Sequence, residues 1–118
     1  MKVSKKIASY YFGLFAEKIS ALYLNIKFYK ILARRLKTPF GEIDIIAQKG
    51  NTLIFIEVKA RRDIEYIDFI SQKQISRIEK AAQYFLLKEK KYQTYNIRFD
   101  AIIVSKLFYP KHFINYWH

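Results

Sequence analysis

Cysteine is missing from all 118 residues, which excludes disulfide staples, thiolate zinc sites and a cysteine nucleophile. A thiol-free chain is compatible with a reducing compartment, and a cytoplasmic location is the expectation. Long apolar runs are missing too. No stretch approaches the ~18 uninterrupted apolar residues of a membrane span, so no integral membrane segment is expected. Met1 to Lys6 is basic and Ile7 to Ala16 fairly apolar, an imitation of a signal peptide, yet Glu17 and Lys18 interrupt the run. The segment reads as an amphipathic helix of the mature domain. Repeats, linkers and low-complexity segments are absent. Acids are scarce: Asp and Glu total 10 against 22 Lys and Arg, a net of +12 with pI near 9.9.

What is present suits one packed domain over residues 1–118, since 52% of residues are apolar and 18% aromatic. The charge is uneven. Residues 1–40 hold nine basic residues and one acid, while residues 41–118 hold thirteen and nine. A basic domain of this size attracts polyanions, either nucleic acid or an anionic membrane surface, with plain solubility charge as the bland alternative.

Residues 5–27 carry helical spacing, with Tyr11, Phe15, Ile19, Leu22 and Ile26 as the apolar stripe, and the aromatics Tyr10, Tyr11, Phe12 and Phe15 are expected to pack rather than stack on bases. Glu17 lies off that stripe beside Gly13, Leu14, Ser20 and Ala21, and small neighbours suit a ligand and tight helix packing equally. Residues 28–37 read as a strand ending at Thr38-Pro39-Phe40-Gly41. Two further strands, Glu42–Gln48 and Thr52–Ala60, flank Lys49-Gly50-Asn51, a hairpin signal. Residues 61–70 read as a loop. Ser71-Gln72-Lys73-Gln74 has the form of a capping box that opens a second helix to about Lys90. Residues 96–106 form another strand, and Leu107–His118 a closing strand or tail. The order α-β-β-β-α-β points to an α/β domain with a mixed central sheet flanked by helices.

Side chains alternate faces along a strand, so Glu42 shares a face with Asp44, and Glu57 with Lys59. A two-residue turn at Lys49-Gly50 sets Glu42 opposite Glu57 and Asp44 diagonal to it. A three-residue turn splits the pairs across two faces. In the first register three carboxylates and one ammonium converge, an arrangement that a hard cation such as Mg²⁺ would neutralise. Glu57 and Lys59 alone could be a surface ion pair worth under ~1 kcal/mol. Against that, Leu53-Ile54-Phe55-Ile56-Glu57-Val58 is the most apolar strand in the chain, and an acid there requires a partner.

Gly41-Glu42-Ile43-Asp44-Ile45-Ile46-Ala47, followed by Phe55-Ile56-Glu57-Val58-Lys59-Ala60-Arg61, resembles the YraN-like family of the PD-(D/E)xK, or restriction-endonuclease-like, nuclease superfamily. The resemblance extends to Gly13 and Ala16-Glu17, to Phe28–Leu32, to Lys73 with Arg77-Ile78, to Arg98-Phe99-Asp100 and to His112–Asn115. Ile43 stands where the superfamily signature has Pro. The resemblance implies a restriction-endonuclease-like fold and an endonuclease that hydrolyses DNA phosphodiesters with Mg²⁺, Mn²⁺ substituting. It implies Asp44, Glu57 and the Val58 carbonyl as metal ligands, Lys59 as catalytic lysine and Glu17 as a helix carboxylate that completes the site. Arg61, Arg62, Lys73, Arg77 and Lys80 are expected to grip phosphates, with an ordinary solvated helix face as the alternative for the last three. His112 and His118 lack partners at metal-ligand spacing and receive no role. The expected substrate is DNA, including branched or structured DNA, and a homodimer would let so small a domain engage two strands. The competing expectations are a non-catalytic nucleic-acid-binding module that keeps the fold, and a peripheral membrane protein binding through its basic helix.

Overall fold

In the computed structural model, residues 5–61, 70–105 and 109–117 are described. Helix α1 (Lys5–Ile26) precedes strands β1 (Lys30–Thr38), β2 (Gly41–Lys49) and β3 (Thr52–Ala60); helix α2 (Gln72–Lys88), a 3-10 turn (Lys90–Tyr92), β4 (Asn96–Val104) and β5 (Pro110–Trp117) complete the chain. The five strands make one mixed sheet in the order β1-β2-β3-β4-β5, with β3 and β4 parallel and the other neighbours antiparallel. The α/β class matches the sequence reading, and so does the order α-β-β-β-α-β once the 3-10 turn before β4 is set aside. Leu107–His118, open between strand and tail, supplies the edge strand β5.

The helices cover opposite faces. Ile45, Ala47, Ile54, Ile56, Ile102 and Val104 pack with Ala16, Ala21 and Leu24 of α1. Leu53 and Phe55, one residue out of phase with that set, pack with Ala81 and Ala82 of α2. Continuous apolar strands are what a sheet covered on both sides requires. The start of α2 is as expected: Ser71 accepts the Gln74 main-chain N–H at 3.2 Å, and the Gln74 side chain accepts the Ser71 N–H at 3.2 Å.

Helix α1 corrects the sequence reading. Tyr11, Phe15, Leu22 and Ile26 of the supposed core stripe are 63%, 47%, 61% and 65% exposed, and Tyr10 is exposed as well. The buried face is Ala16, Glu17, Ser20, Ala21 and Leu24. Small side chains at Ala16, Ser20 and Ala21 let the helix backbone approach the sheet closely, and Ser20 returns its hydroxyl to the Ala16 carbonyl at 2.8 Å. Close approach outweighs the larger apolar surface on the opposite side.

The hairpin register is a second correction. The turn residues are Gly50 and Asn51, closed by Lys49 opposite Thr52, and the ladder runs to Ile45 opposite Ile56. Gly50 takes φ +58, the left-handed conformation such a turn needs. Continued by one residue, this register sets Asp44 directly across from Glu57 rather than diagonal to it. Parity is kept, so the two carboxylates still converge.

Both strands beside that point break alternation. Ala33 and Leu36 pack on the α2 side, as do Ile43 and Ile46, whereas Ile45 packs under α1. Between Ala33 and Leu36, Arg34 and Arg35 both reach Glu17 on the α1 side. Arg35 has φ +52, a left-handed conformation rare for a residue with a side chain. With Arg34 opposite Ile45 and Leu36 opposite Ile43, Arg35 and Asp44 occupy facing positions.

Candidate functional site

Glu57 ends the apolar stretch of β3, with Phe55 and Ile56 fully or nearly fully buried just before it. Its carboxyl is pushed up to about 9, first by burial, then by the charge of Asp44 and a hydrogen bond with it; Lys59 and Arg77 oppose the shift. Lys59, two residues on and therefore on the same face, brings Nζ to 3.9 Å from Glu57 Oε1. Asp44 accepts the Val58 main-chain N–H at 2.8 Å. A side chain thus continues the ladder where β2 leaves β3.

Glu17 approaches from α1 and is only 6% exposed. Burial raises its carboxyl above the usual carboxylate range, Asp44 raises it further, and Arg34 and Arg35 pull it back. Arg34 Nη2 lies 3.4 Å from Glu17 Oε1 and Arg35 Nε 4.0 Å from Oε2, and Oε1 accepts no hydrogen bond among the described residues. A cavity of about 290 Å³ is lined by Gly13, Glu17, Arg35, Asp44, Glu57 and Val58, among others. A Cβ added at Gly13 would touch nothing within 4 Å, so the small residue beside Glu17 does open space. Glu42 lines the same cavity, paired with Arg35 at 3.5 Å in an exposed contact.

The structure therefore gathers Glu17, Asp44, Glu57 and the Val58 backbone, with Lys59 beside Glu57. Among the described residues no three His, Asp or Glu side chains enclose a metal by themselves. Two carboxylates with a main-chain carbonyl form an open donor set, the kind Mg²⁺ takes when waters and substrate phosphate fill the remaining positions. Of the expected phosphate-gripping residues, Arg77 lines a smaller cavity of about 130 Å³ with Glu57 and Gln74. Lys73 and Lys80 lie exposed on α2, and Arg61 is exposed with Nη1 donating to the Ala60 carbonyl at 2.9 Å. Arg62 lies outside the described residues, as does His118.

His112, given no role from its spacing, belongs to a buried polar cluster. Asp100 is fully buried and takes four hydrogen bonds: from Arg98 Nε and Nη2 at 2.9 Å each, from the Asn115 N–H at 2.8 Å, and from His112 Nε2 at 2.7 Å. Burial would push its carboxyl up; the hydrogen bonds from His112, Arg98 and Asn115 outweigh burial and hold it below the usual range. With Nε2 donating, His112 Nδ1 accepts from the Tyr23 hydroxyl at 3.1 Å, and Arg98 also donates to the Tyr29 hydroxyl at 2.8 Å. The cluster ties β4 and β5 to the C-terminal end of α1.

The chain as a whole is similar in sequence to known proteins. A family model described as "Uncharacterised protein family UPF0102" matches residues 16–104, a span that includes Glu17, Asp44, Glu57, Lys59 and Asp100 but stops before His112. A UPF0102 protein of Nitrobacter winogradskyi is 42% identical over 110 residues, covering 92% of this chain and 93% of that protein. Another from Rhodopseudomonas palustris is 40% identical over 109 residues, covering 92% and 83% respectively. One from Bartonella tribocorum is 41% identical over 105 residues, covering 88% and 81%.

Proposed function

The chain belongs to the uncharacterised protein family UPF0102, and from that premise we propose that it is a Mg²⁺-dependent endonuclease of the restriction-endonuclease-like fold, residues 1–118 acting as one nuclease domain on DNA phosphodiesters. The observation that carries the reading is the pairing of Asp44 and Glu57, two carboxylates in hydrogen-bonding contact, with the Glu57 carboxyl pushed up to about 9. Like charges forced together in a partly buried place make chemical sense where a cation neutralises them.

The donor set fits a hard divalent ion. Asp44, Glu57 and the Val58 carbonyl offer oxygen ligands only, and buried Glu17 Oε1, without a hydrogen-bond donor among the described residues, adds a fourth oxygen nearby. Such an ion, when bound, polarises a phosphoryl oxygen and lowers the pKa of a coordinated water. The chain's own residues do the rest. Lys59 Nζ stands beside Glu57, where an ammonium offsets charge that develops on phosphate or orients the attacking water. Asp44, anchored by the Val58 N–H, is held in one orientation. Arg77 reaches the Glu57 cavity from α2, and Arg61, Lys73 and Lys80 extend the positive surface that a polyanion would cross.

Mn²⁺ titration of the wild type and Asp44→Asn, followed by cleavage of labelled linear, nicked, flapped and four-way DNA, tests the proposal. Metal binding and cleavage that both disappear in Asp44→Asn support it. A metal response unchanged by the substitution would sink the site. Binding to every substrate without cleavage would favour the alternative, a non-catalytic nucleic-acid-binding module.

A further inference from the structure

The carboxylate cavity has a neighbour. A second cavity, of about 470 Å³, is lined by Tyr11, Leu14, Phe15, Lys18, Arg34 and Arg35 together with Glu17. Leu14, Glu17 and Arg35 line both, so the two are adjacent. The first cavity holds the carboxylates; the second is aromatic and aliphatic with a cationic rim. Its size is within the range of small-molecule sites, large enough for one nucleoside unit.

We propose that Tyr11, Phe15, Arg34 and Arg35 form a subsite for one unpaired nucleotide of a nucleic-acid strand, beside the phosphate engaged at Asp44 and Glu57. This rests on the reading of the carboxylates as a phosphodiester site. Tyr11 and Phe15 are 63% and 47% exposed, and both line this cavity with Arg34 and Arg35. Aromatic surface next to arginines is the combination that binds single strands: rings stack on a base face, and guanidinium groups take the phosphates on either side. Both faces of a base inside a duplex are covered by its neighbours, so a concave aromatic site admits only a base that has left the stack.

The backbone supports the assignment independently. The left-handed φ of +52 at Arg35 makes two consecutive residues of β1 reach the same carboxylate. Regular alternation would send one of them to the α2 side. Strained backbone of this kind gathers at functional sites, where the surrounding fold holds it. The ion pairs that now occupy the arginines measure 3.4 to 4.0 Å, longer than the ~2.7–2.9 Å of tight charge-assisted bonds, so a phosphate can displace them. Charge also selects among occupants. A second copy of a chain with net charge +12 would bring like charge to this rim, whereas a phosphodiester strand brings the opposite sign.

Fluorescence anisotropy in EDTA reads the subsite without cleavage. The probes are a labelled single strand, the blunt duplex of the same sequence and a duplex with a short unpaired flap, each as DNA and as RNA. Single strand and flap are expected to bind about tenfold more tightly than the blunt duplex, with the DNA and RNA arms ranking the two sources. Tyr11→Ala with Phe15→Ala should weaken single-strand binding roughly fivefold to a hundredfold, with duplex affinity unchanged. Arg34→Gln with Arg35→Gln should weaken all probes and lower the salt slope by about 1 per arginine. Equal affinity of wild type for duplex and single strand would overturn the subsite. Equal losses on both probes in the aromatic variant would do the same, as would displacement of the strand by anionic phosphatidylglycerol vesicles. Mn²⁺ calorimetry on the same aromatic variant keeps the two readings separable. Retained metal binding with lost strand preference implicates the subsite alone, and absent metal binding in wild type with intact strand preference implicates the carboxylates alone.

Discussion

Asp44 accepts the main-chain N–H of Val58 at 2.8 Å, so the ladder between β2 and β3 is continued by a carboxylate instead of a peptide carbonyl. In an extended strand the N–H and C=O of one residue point to the same side. The Val58 carbonyl therefore also turns toward the β2 edge, where Asp44 stands. One residue fixes both a carboxylate and a carbonyl near the same point.

That coupling separates two substitutions. Asp44→Ala leaves the Val58 N–H unpaired and is expected to cost roughly 1–2 kcal/mol in urea unfolding, whereas Asp44→Asn keeps an acceptor and should cost less. Calorimetry should show Mn²⁺ binding lost from both. An asparagine variant that binds Mn²⁺ as tightly as wild type would remove Asp44 from the ligand set.

The Glu57 carboxyl predicts a stability profile of unusual sign. Its folded value, about 9, lies above the 4.5 of the unfolded chain, so the folded state holds a proton that the unfolded state has released. The associated stability is full below about 4.5 and lost as pH rises through about 9. In EDTA, the melting temperature should fall between pH 6 and pH 9, and Glu57→Gln should flatten that fall. Saturating Mn²⁺ should flatten it too, since the cation takes over the proton's role. An unchanged slope in Glu57→Gln would show that other groups control the profile.

Asp100 has the opposite sign. Its folded carboxyl lies below the unfolded value of 3.8, so its contribution is present above that value and disappears as pH falls through the folded one. Asp100→Ala should be far more severe than acidification. It strands the Arg98 guanidinium, the His112 ring and the Asn115 N–H together, at a cost of about 3–5 kcal/mol in denaturant unfolding. A cost under about 1 kcal/mol would mean that the cluster is held by packing alone.

Two leucines two residues apart test which face of α1 is docked. Leu24 is completely buried and Leu22 is 61% exposed. Leu24→Ala should cost about 2–5 kcal/mol and Leu22→Ala stay within about 0.5 kcal/mol of wild type. Equal costs would contradict the observed orientation.

Arg35→Gly should be more stable than Arg35→Ala by roughly 1 kcal/mol, because only glycine takes φ +52 without a penalty. Matched chemical unfolding of the two variants measures it. A more stable alanine variant would place the backbone elsewhere.

Local rules carried much of the fold. The Ser71 capping box and the positive φ of Gly50 are encoded within four residues; the box appears where the sequence puts it, and the turn sits one residue later than expected, at Gly50-Asn51. Glu57 was legible because an acid at the end of Leu53–Val58 demands a partner. The same reasoning applied to Asp100, which sits in Arg98-Phe99-Asp100-Ala101-Ile102-Ile103-Val104, would have flagged it. What spacing could not show is that its partners are Arg98 two residues away, His112 twelve away and, through His112, Tyr23 on another element. Helix α1 misled for a different reason. Hydrophobic periodicity measures how much apolar surface a face offers and takes no account of how closely it can approach. Here Ala16, Ser20 and Ala21 approach closely, and the larger side chains remain outside.

The strand order β1-β2-β3-β4-β5 repeats the order of synthesis, and this separates the assembly of the carboxylates from completion of the sheet. Glu17, Asp44, Glu57 and Lys59 all belong to α1 and the first three strands, whose sheet contacts are between chain neighbours. The joint that must wait is the parallel pairing of β4 with β3, which spans all of α2. Until β4 arrives, Leu53 to Val58 presents an unpaired apolar edge, the kind of edge that recruits strands from other molecules. The β3 edge is thus the one that the late parallel pairing has to reach before another chain does.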